Sequence, residues 1–316
     1  ARAAFIMDRL MHLAGLHGKS FIPLVMGFGC NVPAIMATRT IESRSSRLIT
    51  ILINPFMSCS ARLPVFVFLA GTFFPECAGV MLFAIYLFGC LAAIVTARIL
   101  RKFKFGPDET PFVMELPPYR VPTLNATLRH MWERSEQYLR KIGGLVLVAA
   151  VVVWFLSYCP HVEQEVSIPE SVVLADANLE QTSQAEYSYL GRIGKLCEPI
   201  MKPLGLDWRA SVALMSGAVA KEIILSTLSV LYSVDESDSG AVALSSLMLS
   251  SGNYSRAAAL AFMIFILLYF PCIATVATIA REAGGWKWAL FSVLYNTLLA
   301  WVLAFAAYNI GIMIGL

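Results

Sequence analysis

The chain has 316 residues, of which 58% are hydrophobic and 14% are charged. Soluble domains carry about 45–50% apolar and about 25% charged residues, so this composition excludes a secreted, a disordered or an ordinary cytosolic protein. The formal net charge of +3 argues against nucleic acid as a partner, because proteins that bind it carry a strongly basic surface. The sequence starts without Met and without the layout of a signal peptide, a pattern expected of an internal piece of a longer protein.

The first three apolar segments lie between residues 20 and 97. A helix needs about 20 mostly apolar residues to cross a bilayer. Residues 20–38 and 48–74 reach that length only with glycine, proline or charge inside them, whereas residues 77–97 are uncharged. We therefore predict two interrupted membrane helices followed by a regular one.

Two polar loops flank the next apolar segment, the uncharged residues 142–159. Residues 98–141 contain nine Lys and Arg, whereas residues 160–207 contain three, with eight Asp and Glu. The positive-inside rule places the first loop in the cytoplasm and the second outside. Within the first loop, residues 123–141 are predicted to form an amphipathic helix at the membrane surface. Its apolar side consists of Leu124, Leu128, Trp132 and Leu139.

The pattern of the first half recurs near the C-terminus. Residues 209–232 and 257–280 are apolar but interrupted, and residues 286–316 carry only Lys287. Interrupted helices at matching places in two halves are typical of transporters, although glycine and proline are also common in membrane helices in general. We predict an all-α polytopic membrane protein with about seven membrane segments, in two repeats that each contain interrupted (gate) helices. The charge of residues 233–256 and 281–287 leaves the side of those two loops open.

This order divides the chain into five regions. They are a first gate repeat (1–100), a cytoplasmic loop with the amphipathic helix (101–141), a connecting membrane helix (142–159), an extracytoplasmic loop (160–208) and a second gate repeat (209–316).

The stretch from Gly27 to Pro33 cannot form a regular helix. Gly27 and Gly29 loosen it, and Pro33 removes a backbone donor. Broken helices survive in a membrane only where they are buried or line a water-filled cavity, and unpaired carbonyls there suit a small cation. Cys30 and Asn31 add a thiol and an amide oxygen at this break.

Two further cysteines lie beside prolines in interrupted segments: Cys59 follows Pro55, and Cys272 follows Pro271. Thiolates suit first-row transition metals, so Cys30, Cys59 and Cys272 are candidate metal ligands. The alternative is that each is a small buried hydrophobe. The remaining cysteines are assigned to packing, or to a disulfide at the outer end. They are Cys77, Cys90, Cys159 and Cys197.

Three charged residues lie in the interior of the interrupted segments: Arg62, Lys221 and Glu222. Such residues are costly in a membrane unless they are paired or face water. Glu222 could bind a cation or relay a proton and Lys221 could neutralise it, or the charges could form a structural ion pair that locks the break. All four histidines lie outside the predicted segments, which argues against a histidine-built metalloenzyme and favours transport over catalysis.

Several runs carry a resemblance to a known family. LHGKSFIPLVMGFGCNVPAIMATRTIE and LITILINPFMSCSARLPVFVFLAGTFFP resemble the first gate of bacterial ferrous iron transport protein B. FVMELPPYRVPTL, VALMSGAVAKEIILSTLSVLY and YFPCIATVATIARE resemble its cytoplasmic loop, second gate and penultimate span. The resemblance runs from residue 1 to 316 with the motifs in family order.

The resemblance implies Fe(II) uptake across the bacterial inner membrane by a transporter rather than an enzyme. Cys30, Cys59 and Cys272 match the cysteines proposed to line the iron path of the family, and Lys221 and Glu222 fall in its second gate. GTP and Mg²⁺ would bind only the family's N-terminal GTP-binding domain, which this sequence lacks. Expected partners are Fe(II), the lipid bilayer, that domain and small soluble accessory proteins. A homo-oligomer stays open.

The candidate ligands are thus Cys30, Asn31, Cys59, Cys272 and Glu222, and gating or ion-pair roles are expected at Lys221, Arg62, Gly27, Gly29, Pro33, Pro55 and Pro271. A carrier of an organic solute such as a nucleoside is the first alternative. A membrane scaffold or sensor with redox-active cysteines is the second.

Overall fold

The structure, a computed structural model, describes residues 7–8, 11–12, 15–105, 123–159, 187–232, 238–250 and 254–315. The helices of more than five residues in these ranges are α1 (Phe21–Gly27), α2 (Asn31–Ala37), α3 (Arg44–Ile53), α4 (Leu63–Phe73), α5 (Ala78–Leu100), α6 (Leu124–Tyr158), α7 (Tyr189–Met201), α8 (Trp208–Val219), α9 (Ile223–Leu231), α10 (Asp238–Ser250), α11 (Arg256–Leu268), α12 (Ile273–Glu282) and α13 (Trp286–Ile314). Short 3₁₀ turns, including Asn54–Phe56 and Ser60–Arg62, connect some of them. The described part of the chain contains no strand, which confirms the predicted all-α class.

Among the described residues, four stretches are long and apolar enough to cross a membrane. They are Arg44–Phe73, Pro75–Lys104, Arg256–Glu282 and Trp286–Ile314, and Val146–Tyr158 is a shorter apolar helix. The first contains α3 and α4, and the third contains α11 and α12. The chain is therefore a polytopic membrane protein.

The predicted segments 20–38 and 209–232 do not form single crossing helices. Each breaks and folds back, so that α1 packs against α2 and α8 packs against α9 as helical hairpins. Helices α1 and α2 have seven residues each, and at 1.5 Å per residue they are about 10 Å long. The hydrocarbon core is about 30 Å thick, so α1 and α2 are each too short to cross it.

Helix α6 also differs from the prediction. The amphipathic helix at 123–141 and the membrane helix at 142–159 form one helix of 35 residues, without a boundary near residue 142. Ion pairs one turn apart, Arg129–Glu133 and Glu136–Arg140, support its polar half. Leu124, Leu128 and Trp132 are exposed as expected for a membrane-surface face. The side chain of Leu139 lies outside the described residues.

Polar caps fix where several helices begin. Ser43, Ser188, Asp207 and Ser255 precede α3, α7, α8 and α11, and each side chain accepts a hydrogen bond from the backbone N–H three residues later. A cap of this kind contributes about 1 kcal/mol by satisfying a donor that has no partner within the helix.

The chain forms two compact units that interleave in sequence. The first unit comprises Ala1–Cys59, Gly89–Ala149 and Ile273–Ser292, and the second comprises Ser60–Phe88, Ala150–Cys272 and Val293–Leu316.

In the first unit, α12 packs on α2 and α3. Their core includes Ile35, Ile51 and Ile279. At the end of α12, the carboxylate of Glu282 accepts hydrogen bonds from Arg39 and from Arg47, the latter at 2.9 Å. Arg47 therefore fixes the end of α12 to the start of α3, and Arg39 fixes it to the short turn that follows α2.

In the second unit, α7 packs closely on α8. Leu190, Val212 and Leu231 form its described core cluster. A Cβ at Gly194 would lie 2.4 Å from Cγ2 of Val212, so a larger residue there would push the two helices apart. This packing positions the α8–α9 hairpin.

Candidate functional site: four helix breaks

The candidate site residues lie at four breaks in the helices. We define break 1 as residues 28–30, break 2 as residues 54–59, break 3 as residues 220–222 and break 4 as residues 269–272. Breaks 1 and 2 belong to the first unit, and breaks 3 and 4 belong to the second.

Break 1 lies where the glycines and Pro33 predict it. Helix α1 ends at Gly27, and the backbone N–H groups of Gly29 and Cys30 turn back to the carbonyl of Met26, at 3.0 and 3.1 Å. Cys30 is extended, with φ −150° and ψ 131°, and precedes α2. Pro33 lies in the first turn of α2, where its missing N–H costs no intrahelical bond.

Cys30 lies on the wall of a cavity of about 670 Å³ in the first unit. Met26 and Met36 also line this cavity, so three sulfur-containing residues border one space. Arg39, whose guanidinium is paired with Glu282, lies at the same wall. The cavity is lined by Met26, Cys30, Pro33, Met36, Ala37, Arg39, Thr40 and Ser135.

Asn31 follows Cys30 in the sequence, is buried, and connects breaks 1 and 2. In the amide orientation that satisfies its neighbours, its nitrogen donates to the carbonyl oxygens of Gly27 and Asn54, both at 3.2 Å. The sequence suggested only an oxygen ligand at this position. The structure adds a bracing role for the amide nitrogen.

Gly27 is required by the close approach of break 2. A Cβ at Gly27 would lie 2.4 Å from Oδ1 of Asn54 and 2.9 Å from Cβ of Met57. At Gly29 the nearest atom to such a Cβ would be the Met26 carbonyl oxygen, at 3.4 Å. The two glycines therefore differ: Gly27 makes room for a neighbour, whereas Gly29 serves the turn.

Break 2 follows α3 at Asn54. Pro55 has no N–H to continue the helical ladder, and the chain turns so that the N–H of Met57 donates to the carbonyl of Asn54 at 3.0 Å. Asn54 and Ser58 are buried, and Cys59 is partly exposed. A second cavity, of about 170 Å³, lies beside Met57 and is lined by apolar residues with Cys90.

Break 4 is held by Arg62. The carbonyl of Leu267 is among the last four of α11, which have no donor within the helix. Residue 271 would supply a donor if α11 continued, but Pro271 has no N–H. Nη1 of the fully buried Arg62 donates to this carbonyl instead, at 2.7 Å.

Break 3 meets break 4 through Lys221. Its Nζ donates to the carbonyl oxygen of Phe270 at 3.0 Å and lies 3.1 Å from the centre of the Tyr269 ring. Both buried cations thus lie at the negative C-terminal end of α11, where positive charge is favourable. Cys272, at the end of break 4, is partly exposed.

Glu222 corrects part of the sequence analysis. It is exposed rather than buried. The cation beside it in sequence, Lys221, donates its hydrogen bond to the Phe270 carbonyl. The two adjacent side chains therefore lie in different surroundings. Break 3 is therefore not held by a buried ion pair between Lys221 and Glu222.

Asn54 and Tyr269 also belong to the breaks, although their sequence did not predict it. Tyr269 is fully buried, and a Cβ at Gly217 would lie 2.7 Å from its hydroxyl. The only available signal was their position, immediately before Pro55 and two residues before Pro271.

All seven cysteines lie in the described ranges, and none forms a disulfide. Within those ranges, no three or more His, Cys, Asp or Glu side chains cluster so that they could hold one metal ion.

Comparison with known proteins defines the class first. The helices and their breaks are those of an all-α membrane protein, and the Gate family model, described as nucleoside recognition, matches residues 1–73 and 139–286. The chain belongs to the Gate family. A second model, described as the C terminus of ferrous iron transport protein B, matches residues 82–134.

Three relatives share nearly the whole chain. A protein of Porphyromonas gingivalis, named Fe(2+) transport protein A/Fe(2+) transporter FeoB fusion protein, is 50% identical over 99% of this chain and 40% of its own length. Proteins named Fe(2+) transporter FeoB from Methanocaldococcus jannaschii and Campylobacter jejuni are 44% and 41% identical over 98% of this chain, and it covers 44% and 49% of their lengths.

The chain therefore spans less than half the length of these relatives. The matches are consistent with the C-terminal membrane portion of ferrous iron transport protein B and confirm the resemblance. No solved structure matches the chain.

Proposed function

We propose that this chain is the membrane core of a ferrous iron transporter. The observation that carries the proposal is the position of Cys30, at a helix break and on the wall of a cavity that Met26 and Met36 also line. Sulfur ligands suit first-row transition metals better than they suit magnesium or calcium. The names of the relatives, Fe(2+) transporter, agree with that preference.

The proposed ligands for Fe(II) in transit are Cys30, Asn31, Cys59, Cys272 and Glu222. The three thiols lie at breaks and are partly exposed, so a hydrated ion could reach them. The exposed carboxylate of Glu222 offers an acidic oxygen at break 3. Conduction requires that such ligands bind the ion well enough for it to enter and weakly enough for it to leave.

The proposed gating elements are the breaks themselves. Gly27, Gly29 and Pro33 shape break 1, Pro55 shapes break 2, and Pro271 shapes break 4. Lys221 holds the Phe270 carbonyl of break 4, and Arg62 holds the Leu267 carbonyl at the end of α11. Opening would require those carbonyls to exchange their cationic donors for the ion or for water, which is a change between two discrete arrangements.

We further propose that the transporter works in the bacterial inner membrane with a GTP-binding domain of the same protein, where GTP and Mg²⁺ would bind. The fusion relative joins a protein named Fe(2+) transport protein A to the transporter, which supports a small accessory protein as a partner. A homo-oligomer is compatible with this proposal and is not required by it.

The class of substrate is tested by uptake into proteoliposomes that contain the intact protein. We expect Fe(II) to enter faster than Mn(II) and Zn(II), and radiolabelled nucleosides not to enter. The nucleoside arm matters because the Gate model is described as nucleoside recognition. Nucleoside uptake without Fe(II) uptake would overturn the iron proposal in favour of an organic-solute carrier. Absence of all uptake, with a change in thiol labelling by oxidant, would favour a redox sensor.

A further inference from the structure

Two buried polar side chains at break 2 have no hydrogen-bond partner in the part of the chain that the structure describes. Asn54 is fully buried, and neither its amide oxygen nor its amide nitrogen has a hydrogen-bond partner within the described residues. The hydroxyl of Ser58, 2% exposed, has none there either. Nearly all buried polar groups in proteins are paired, and an unpaired one is costly. Two such unpaired side chains on one break indicate that a bound ion or molecule supplies their missing partner.

Electrostatics at Asn54 favours a positive species. Helix α3 ends at Ile53, and Asn54 is its C-cap. Helix α1 ends at Gly27, whose Cβ position would lie 2.4 Å from Oδ1 of Asn54. The C-terminal end of a helix carries partial negative charge from its unpaired carbonyls. Two such ends therefore meet at one unpartnered carboxamide.

Asn31 keeps these two ends together. Its amide nitrogen donates to the carbonyls of Gly27 and Asn54 at 3.2 Å each. One neutral amide draws both carbonyls to itself without adding positive charge. The convergence at Asn54 is therefore built into the fold of the first unit and keeps its negative potential.

We propose that Oδ1 of Asn54 and Oγ of Ser58 bind the transported divalent cation when it has lost part of its water shell. Carbonyl oxygens are ligands that suit Mn(II), whereas thiolates select softer metal sites. Helix C-terminal ends and unwound carbonyls are also the groups with which broken-helix transporters hold cations. The identity of the ion rests on the function proposed above, whereas the site rests on the unpartnered oxygens.

Equilibrium binding of Mn(II) to the intact protein in detergent, followed by electron paramagnetic resonance, tests the site without requiring transport. Asn54→Ala should raise the half-saturating Mn(II) concentration about tenfold, equivalent to about 1.4 kcal/mol, and Ser58→Ala should raise it severalfold. Asn54→Asp keeps an oxygen and adds charge, so it should bind Mn(II) at least as tightly as the wild type. Fe(II) uptake should show the same order at subsaturating iron.

Thr50→Val is the matched control. Thr50 is buried one turn before Asn54 in α3, and its hydroxyl bonds to Ser20 and to the Ser46 carbonyl, at 2.8 and 2.7 Å. This variant should lose stability but keep the wild-type half-saturating concentration. An unchanged half-saturating Mn(II) concentration in Asn54→Ala would overturn the site. If Asn54→Ala does not fold, loss of Mn(II) binding in Asn54→Asp would overturn it. A wild type that binds Mn(II) through Asn54 but takes up no Fe(II) would overturn only the transport proposal.

Discussion

The Nζ of Lys221 donates to the carbonyl oxygen of Phe270 at 3.0 Å. This bond joins two breaks that are almost fifty residues apart, and it places a buried cation at the end of α11. Arg62 acts in the same way on the Leu267 carbonyl, whose donor Pro271 cannot supply. The second unit thus satisfies a proline break with side-chain cations, so a change at either cation should act on break 4.

Replacing Lys221 by Met tests this connection. The variant removes the donor and leaves the Phe270 carbonyl without it, so we expect the free energy of unfolding to fall by about 1–2 kcal/mol. Amide hydrogen exchange in residues 269–274 should also become faster than in the wild type. Lys202→Met is the control, because Lys202 is exposed and should have little effect. Wild-type exchange at break 4 in Lys221→Met would contradict the role of Lys221.

Replacing Gly27 by Ala tests the close approach of breaks 1 and 2. The new Cβ would meet Oδ1 of Asn54 at 2.4 Å and Cβ of Met57 at 2.9 Å, and overpacking of this kind costs about 1–3 kcal/mol. Thermal unfolding in detergent should show the loss. Gly29→Ala is the matched control in the same break, since its nearest contact would be 3.4 Å. Equal losses in the two variants would be evidence against a specific role for Gly27.

Replacing Glu282 by Gln tests how α12 is fixed to the first unit. Both Arg39 and Arg47 would lose a carboxylate partner that is only 7% exposed, whereas the arginines themselves are 52% and 30% exposed. Since solvent screens the arginines, we expect a moderate loss of about 1–2 kcal/mol. The exposed pair Lys19–Glu42 provides the control, and Glu42→Gln should leave unfolding unchanged. A Glu282→Gln variant as stable as Glu42→Gln would refute the bracing role.

Tyr254 should make stability depend on alkaline pH. Its hydroxyl donates to Oδ1 of Asp207 at 2.5 Å, and burial, with the charge of Asp207, raises the pKa of Tyr254 well above its ordinary value. The phenol therefore stays protonated in the folded protein at pH values where an unfolded tyrosine, with a pKa of about 10, ionises. Its contribution to stability is present below about pH 10 and is lost as the pH rises further.

Tyr254→Phe should accordingly lower the free energy of unfolding by about 1.5–3 kcal/mol at neutral pH, because a hydrogen bond to a charged group is lost. Between about pH 10 and 11, the wild type should lose up to about 1.4 kcal/mol more per pH unit than the variant does. Unfolding curves measured across that range give both quantities. Tyr187→Phe, at an exposed tyrosine, should match the wild type. Parallel pH profiles for Tyr254→Phe and wild type would refute the assignment.

The sequence was sufficient to predict where the helices break. Proline lacks a donor wherever it occurs, so Pro55 and Pro271 mark breaks without any knowledge of tertiary structure. The return of each hairpin was not predictable from composition, because it depends on packing between α1 and α2 and between α8 and α9. The partner of Lys221 was missed for the same reason: Phe270 is distant in sequence.

Two other features could not be predicted from the sequence. The change from a charged loop to an uncharged segment at residue 142 suggested a boundary, yet α6 continues through it and through Gly143 and Gly144. Helix formers and ion pairs on the polar side outweigh the cost of two glycines, about 1 kcal/mol each. In the sequence, Asn54 is only a residue before proline. Its burial without a hydrogen-bond partner among the described residues is what identifies it as a candidate ligand.

The most direct test of the central claim is Fe(II) uptake by the intact protein in which Cys30 and Cys272 are both replaced by Ser. We predict that uptake is abolished while the amount of protein in the membrane is unchanged, because serine keeps the size of the side chain but not its soft sulfur ligand. Cys90→Ser, in the unbroken helix α5, is the control and should transport as the wild type does. Wild-type uptake by the Cys30→Ser, Cys272→Ser protein would contradict an iron path through these thiols.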